Sequence, residues 1–149
     1  MKKIGLVVIL VVVLLFTISV SNSFAQKWEL FCTSAHGNMY YDSNSAKYLP
    51  DNKVQILEKF VPINPQGKAA LLFYFQSCMM LNSAYADAKG DGSYTVSLDE
   101  LNCKTNEGHV ISKTVYDKNG NVLCTFQPPG EKINKNDSCF KRLYQSLCK

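Results

Sequence analysis

Few residues in this chain could do chemistry. They are six cysteines (32, 78, 103, 124, 139 and 148), two histidines (36 and 109), one adjacent carboxylate pair, Asp99-Glu100, and the run Asp117-Lys-Asn-Gly-Asn121. Thiols can hold zinc or attach haem, but both need close pairs such as C-x-x-C, and no two of these cysteines stand that near. An even cysteine count in an exported chain implies disulfides made in an oxidising compartment. His36 falls in a turn and His109 at a strand start, neither beside an activated nucleophile, so neither is expected to be catalytic. Asp99 and Glu100 are neighbours along a strand and point to opposite faces, so they cannot share a proton or an ion. Asp117-x-Asn119-x-Asn121 imitates the start of a calcium loop, but Val122 stands at the glycine position and Pro128 at the bidentate glutamate position, so a turn is expected. Lys89-Gly90-Asp91 and the acceptor triplet Asn136-Asp-Ser138 are short enough to arise by chance. The expectation is a protein that is not an enzyme, holds no metal and needs no small-molecule cofactor.

The elements that must position these residues are most legible at the C-terminus. Phe140, Leu143, Tyr144 and Leu147 recur at i, i+3, i+4 and i+7, an apolar stripe on a short helix that Asp137 or Ser138 can cap. Cys139 and Cys148 border that stripe. Nine residues of helix rise about 13.5 Å, too far for a bridge whose Cα atoms must lie within about 7 Å, so each must reach upstream. The helix is therefore a lid fastened to the rest of the chain.

At the other end, Met1–Ala25 has the pattern of an export signal: Lys2 and Lys3, an apolar run from Ile4 to Phe16, and small residues at Ser23 and Ala25. One mature domain, 26–149, is expected after it, placed in the periplasm or on the outer cell surface. Lipidation at Cys32 is not expected, because Phe31 occupies the preceding position, where a small residue is needed. Without Lys2 and Lys3 the formal charge falls from +4 to +2, too mild to indicate nucleic acid.

Between these ends the chain reads mostly as strands. Trp28, Leu30 and Cys32 alternate with Glu29, Phe31 and Thr33 as a half-buried strand with Trp28 facing inward, which returns through Ala35–Asn38 to Met39–Asp42. Lys53–Ile63 is a longer strand rich in β-formers. Within residues 66–89, the run from Ala69 to Leu81 is apolar on nearly every side. Their Ala, Leu, Met and Gln favour a helix packed on the core, and a sharper reading leaves part of it exposed as an apolar patch for a partner. Ser93–Cys103 places Tyr94, Val96 and Leu98 on one face and Leu101 and Cys103 on the other, which suggests a bulge near Asp99-Glu100. His109–Tyr116 and Val122–Phe126 are joined by a tight turn whose Asn119-Gly120 suits positive φ. About six strands in two antiparallel groups with one or two helices make an α+β fold.

Trp28-Glu-Leu-Phe with Tyr40-Tyr41-Asp42, the run from Tyr94 to Leu101-Asn-Cys103, Tyr116-Asp-Lys-Asn-Gly-Asn-Val-Leu123 and the helix closing at Cys148 together resemble the surface-adhesin protein E family of Gram-negative envelope proteins. The resemblance implies an antiparallel sheet with a C-terminal helix tethered by a disulfide, which maps onto Cys103–Cys148. It also implies adhesion, through binding of host matrix proteins such as vitronectin and laminin. Four cysteines exceed the family's usual pair and allow three connectivities. The short link between strand and lid favours Cys124–Cys139, leaving Cys32–Cys78. Two functions are then expected in order: an exported adhesin-like module binding a host matrix or envelope protein through a strand edge or aromatic patch, and a periplasmic structural or accessory subunit or small inhibitor with a bacterial partner. A homo-oligomer is compatible with either.

Overall fold

The computed structural model describes residues 26–85 and 90–148. The export-signal expectation for 1–25, and Lys89 of the Lys-Gly-Asp triplet, lie outside the described residues.

Eight strands form one antiparallel sheet: β1 (Trp28–Thr33), β2 (Gly37–Asp42), β3 (Lys47–Leu49), β4 (Lys53–Pro62), β5 (Tyr94–Asn102), β6 (Glu107–Tyr116), β7 (Val122–Phe126) and β8 (Lys132–Ile133). The main order is β1-β2-β4-β5-β6-β7, with β3 pairing β4 and β8 pairing β6 at the margins. The two expected strand groups are thus one sheet. β4 and β5 join them by pairing from Lys53↔Asn102 to Phe60↔Thr95, a contact the local pattern could not reveal because a helix intervenes in sequence.

That helix, α1, runs Pro65–Leu81, followed by a 3-10 turn at Ser83–Tyr85. Asn64 starts it by accepting the Gly67 amide at 2.9 Å, and Pro65 supplies a preset φ where no amide is needed. Its far end is tied down by Asn82, whose side-chain amide donates to the Thr125 carbonyl at 3.2 Å. The second helix, α2, runs Ser138–Leu147, and Asp137 caps it by accepting the Cys139 and Phe140 amides at 2.7 and 3.1 Å.

Both helices lie on the same face of the sheet. Leu71, Phe75 and Cys78 of α1 pack on Val115, Cys124 and Phe126, while Phe140, Leu143 and Leu147 of α2 pack on Val54, Ile56 and Leu101. Burying each of the three α2 side chains contributes roughly 1.5–3 kcal/mol before entropy is subtracted, which holds a helix too short to stand alone. No described element covers the opposite face, where Tyr94 stacks on Tyr116 with centroids 5.0 Å apart and Lys59 lies over the Tyr94 ring at 4.1 Å.

Two strand phases differ from expectation. A bulge between Leu30 and Cys32 turns Cys32 toward the helices and leaves Trp28, near Lys59, half-buried on the open face rather than inward. In β5 the phase does not slip: Thr95, Ser97, Asp99 and Leu101 all face the helices and are buried. The irregularity at that level belongs to β6, where Leu98 faces Ser112 but Asp99 faces Val110, so Ile111 is the extra residue. The apolar Tyr94, Val96 and Leu98 therefore occupy the open face.

The β6–β7 turn is as tight as expected, but only Gly120 takes positive φ (83°). Asp117 organises the turn, its Oδ1 accepting the Asn119 and Asn121 amides at 2.8 Å each.

Candidate functional site

The cysteines form Cys103–Cys148, Cys32–Cys139 and Cys78–Cys124, with Cα separations of 5.3, 5.3 and 6.4 Å. The expected Cys124–Cys139 and Cys32–Cys78 pairs are corrected by this pattern. Cys124 lies in the core cluster beneath α1, where Cys78 meets it. The β1 bulge presents Cys32 to α2 instead, so the short sequence link between 124 and 139 is not a short path in space. Each helix is bridged to the sheet, α2 at both ends. Cys32 is engaged with Cys139, which leaves no thiol for a lipid thioether.

The remaining sequence candidates are dispersed. His36 is exposed in the β1–β2 turn, and the exposed His109 side chain lies 3.9 Å from Glu100 on the open face. Glu100 pairs there with Lys53 at 2.8 Å, while Asp99 is buried beneath the helices, so the two adjacent carboxylates do part company. Among the described residues, no group of three or more His, Cys, Asp or Glu side chains is arranged to hold a metal.

The structure instead assembles a polar cleft of about 240 Å³ between the two helices, a feature sequence reasoning did not find. Strand pairing builds its floor: Glu58 of β4 faces Ser97 of β5, Ser97 faces Lys113 of β6, and Asp99 lies one step further along the same face. Tyr74 of α1 and Phe140 of α2 line it from either side, with Glu131 and Asp137 at its margin.

Lys113, only 7% exposed, donates to Glu131 at 3.1 Å and lies 3.7 Å from the Tyr74 ring centroid. Burial alone would lower its pKa, but Tyr74 and Glu131 outweigh burial and hold it above the ordinary lysine value. Asp99, 1% exposed, is pushed up to about 7 by burial, against the pull of a Ser97 hydrogen bond and the Lys113 charge. Burial, then the charge of Asp99, drives the Glu58 carboxyl well above the usual carboxylate range. Asp99 Oδ1 has no hydrogen-bond partner among the described residues.

One sequence signal marked this cleft. Alternate β5 positions read Thr95-Ser97-Asp99 on one side and Tyr94-Val96-Leu98 on the other, and patterning assigns the apolar side to the core. The polar side went inward because it floors a cleft.

The second notable surface is the outside of α1. From Ala69 to Tyr85 the chain carries no charge. Leu71, Phe75 and Cys78 point inward, while Leu72, Phe73, Met80 and Leu81 are 54, 65, 85 and 56% exposed.

Fold and bridges together define a three-disulfide α+β domain with one face of its sheet covered by helices. Its disulfides are those of a chain folded in an oxidising compartment. Among the described residues, no helix is long and apolar enough to cross a membrane. No family model matches the chain, and no curated protein matches it in sequence. Two solved structures are similar to it, Haemophilus influenzae protein E and the selenomethionine form of the same protein, each at 13% identity and a TM-score of 0.46. The match covers 83% of this chain and 91 and 93% of theirs. At this identity and fit the likeness is one of general outline.

Proposed function

We propose that this chain is an exported, non-enzymatic protein-binding module, adhesin-like in kind, whose recognition surface is the outer face of α1. The observation that carries this is the charge-free stretch 69–85 with Leu72, Phe73, Met80 and Leu81 more than half exposed. A surface helix ordinarily turns a polar face to water; here two exposed apolar pairs, Leu72-Phe73 and Met80-Leu81, flank the exposed Gln76, and exposed apolar surface on this scale marks an interaction site. α1 is also rigidly mounted, by Cys78–Cys124, by the Asn82 tie to β7 and by the Asn64 cap. A preorganised apolar face loses little entropy on docking.

The test compares wild type with Phe73→Asp and Met80→Asp for binding to purified host-matrix proteins and to envelope extracts, with circular dichroism to confirm that the fold is retained. Each substitution should reduce partner binding at least tenfold. Variants that bind like wild type refute this surface. Surface labelling of whole cells then separates the two roles: a labelled chain is an adhesin, and a soluble periplasmic pool is an accessory subunit.

A further inference from the structure

We propose that the cleft between α1 and α2 is a binding site for an organic monocation, an alkylammonium or alkylguanidinium group, with Asp99 and Glu58 as its anionic partners. The site lies beneath α1 and is independent of the helix's outer face.

Three observations converge. First, Asp99 lines the cleft, is 1% exposed and has an Oδ1 without a hydrogen-bond partner among the described residues. Buried polar atoms are nearly always paired, so an orphaned carboxylate oxygen on a cleft wall marks a place where a donor is missing. Second, titratable groups line the cleft with Asp99 from every surrounding element: Glu58 on β4, Lys113 on β6, Glu131 before β8, Asp137 at the start of α2 and the Tyr74 phenol on α1. The ammonium of Lys113 is already committed to Glu131 and the Tyr74 ring. Glu58 and Asp99 feel the Lys113 charge, but neither forms an ion pair with a described residue.

Third, the chemistry of the walls selects the guest. An ammonium or guanidinium group donates several directed hydrogen bonds, which suits two carboxyls set diagonally across neighbouring strands. Tyr74 and Phe140 present rings that suit an alkyl stem or a cation. A divalent metal is disfavoured by the lack of a ligand cluster among the described residues. The volume, about 240 Å³, lies below the roughly 300–1,000 Å³ of ordinary small-molecule pockets and suits a group the size of one side chain. Such a group could arrive on a free amine or on the Lys or Arg side chain of another protein. The recognition chemistry is the same for both.

Occupancy has a pH signature. A carboxyl that keeps its proton to about pH 7 must give it up to pair with a cation, so affinity should rise with pH by up to about tenfold per unit until Asp99 is ionised.

The experiment titrates the full oxidised protein with n-butylammonium and n-butylguanidinium, following NMR signals of Tyr74, Val110 and Phe140. n-Butanol and butyrate serve as the neutral and anionic controls. Expected are saturable shifts with the two cations alone, at least tenfold tighter at about pH 8 than at about pH 5.5. Asp99→Asn and, separately, Glu58→Gln should each weaken binding at least tenfold. If one variant fails to fold, the other variant and the wild-type pH profile still decide. Capped Ala-Lys-Ala and Ala-Arg-Ala peptides identify the source: peptides that bind at least as tightly as the free cations assign the cleft to a protein side chain, and peptides excluded from it assign a free amine. Equal shifts with butanol, affinity independent of pH, or no saturable shift at tens of millimolar would overturn the proposal.

Discussion

Replacing Asp99 by Asn should stabilise the protein at neutral and alkaline pH while leaving it nearly unchanged in acid. Burial raises the folded carboxyl from 3.8 to about 7. At about 1.4 kcal/mol per pH unit, this shift corresponds to a cost of roughly 4 kcal/mol for keeping the ionised form folded. Because the native state holds its proton through this window while the unfolded chain has lost it, stability falls as pH rises from about 4 to about 7 and then levels off. Asn is nearly isosteric with protonated Asp and cannot ionise, so the variant should escape most of that fall. Roughly 4 kcal/mol is a ceiling. The Asn amide carries two N–H donors where the protonated carboxyl has one O–H, and the extra donor must find a partner in the buried cleft. A gain of about 2–3 kcal/mol at about pH 8 and less than about 0.5 kcal/mol at about pH 4.5 is expected. Urea denaturation with the disulfides intact, monitored by circular dichroism across that pH range, measures it. A stability difference that is the same at both ends, or a variant weaker than wild type at pH 8, would show that Asp99 is ionised and well compensated in the fold, and the electrostatic account of the cleft would fail.

Gly67→Ala should destabilise by about 2–4 kcal/mol, because the added Cβ would collide with the His36 carbonyl where α1 begins against the β1–β2 turn; thermal denaturation reads the loss. Leu143→Ala, at a position 1% exposed on the inner side of α2, should cost about 2–5 kcal/mol and leave a cavity, measurable by urea titration. Cys103→Ser with Cys148→Ser, which opens a bridge of sequence separation 45, should cost roughly 2–4 kcal/mol, with faster hydrogen exchange in the last turn of α2 than at Cys139, still held to Cys32. Peptide mapping without reduction should recover 32–139, 78–124 and 103–148; a 124–139 peptide would contradict the helix placement.

How much of this was open to reading from the sequence depends on whether the signal was local. The lid helix is periodic over ten residues and carries its own cap, so its span, its buried Phe140, Leu143 and Leu147, and its need for upstream bridges follow from spacing alone. The β6–β7 hairpin is equally local, since Asp117 and Gly120 shape the turn without help from the rest of the chain. Even α1 could be read from composition, despite having no amphipathic period, because Ala, Leu, Met and Gln outweigh Phe73-Tyr-Phe75. What sequence could not determine were choices made across distance. Which cysteine Cys139 meets depends on a one-residue bulge in β1 that turns Cys32 inward and Trp28 to the open face. Asp99 entered the interior against its polarity because β4, β5 and β6 align Glu58, Ser97 and Lys113 in one row under two helices. A carboxyl is tolerated there because it keeps its proton to about pH 7 and because Ser97 and Lys113 offset part of the cost of burial, and long-range strand pairing, which no local pattern encodes, is what brings them together.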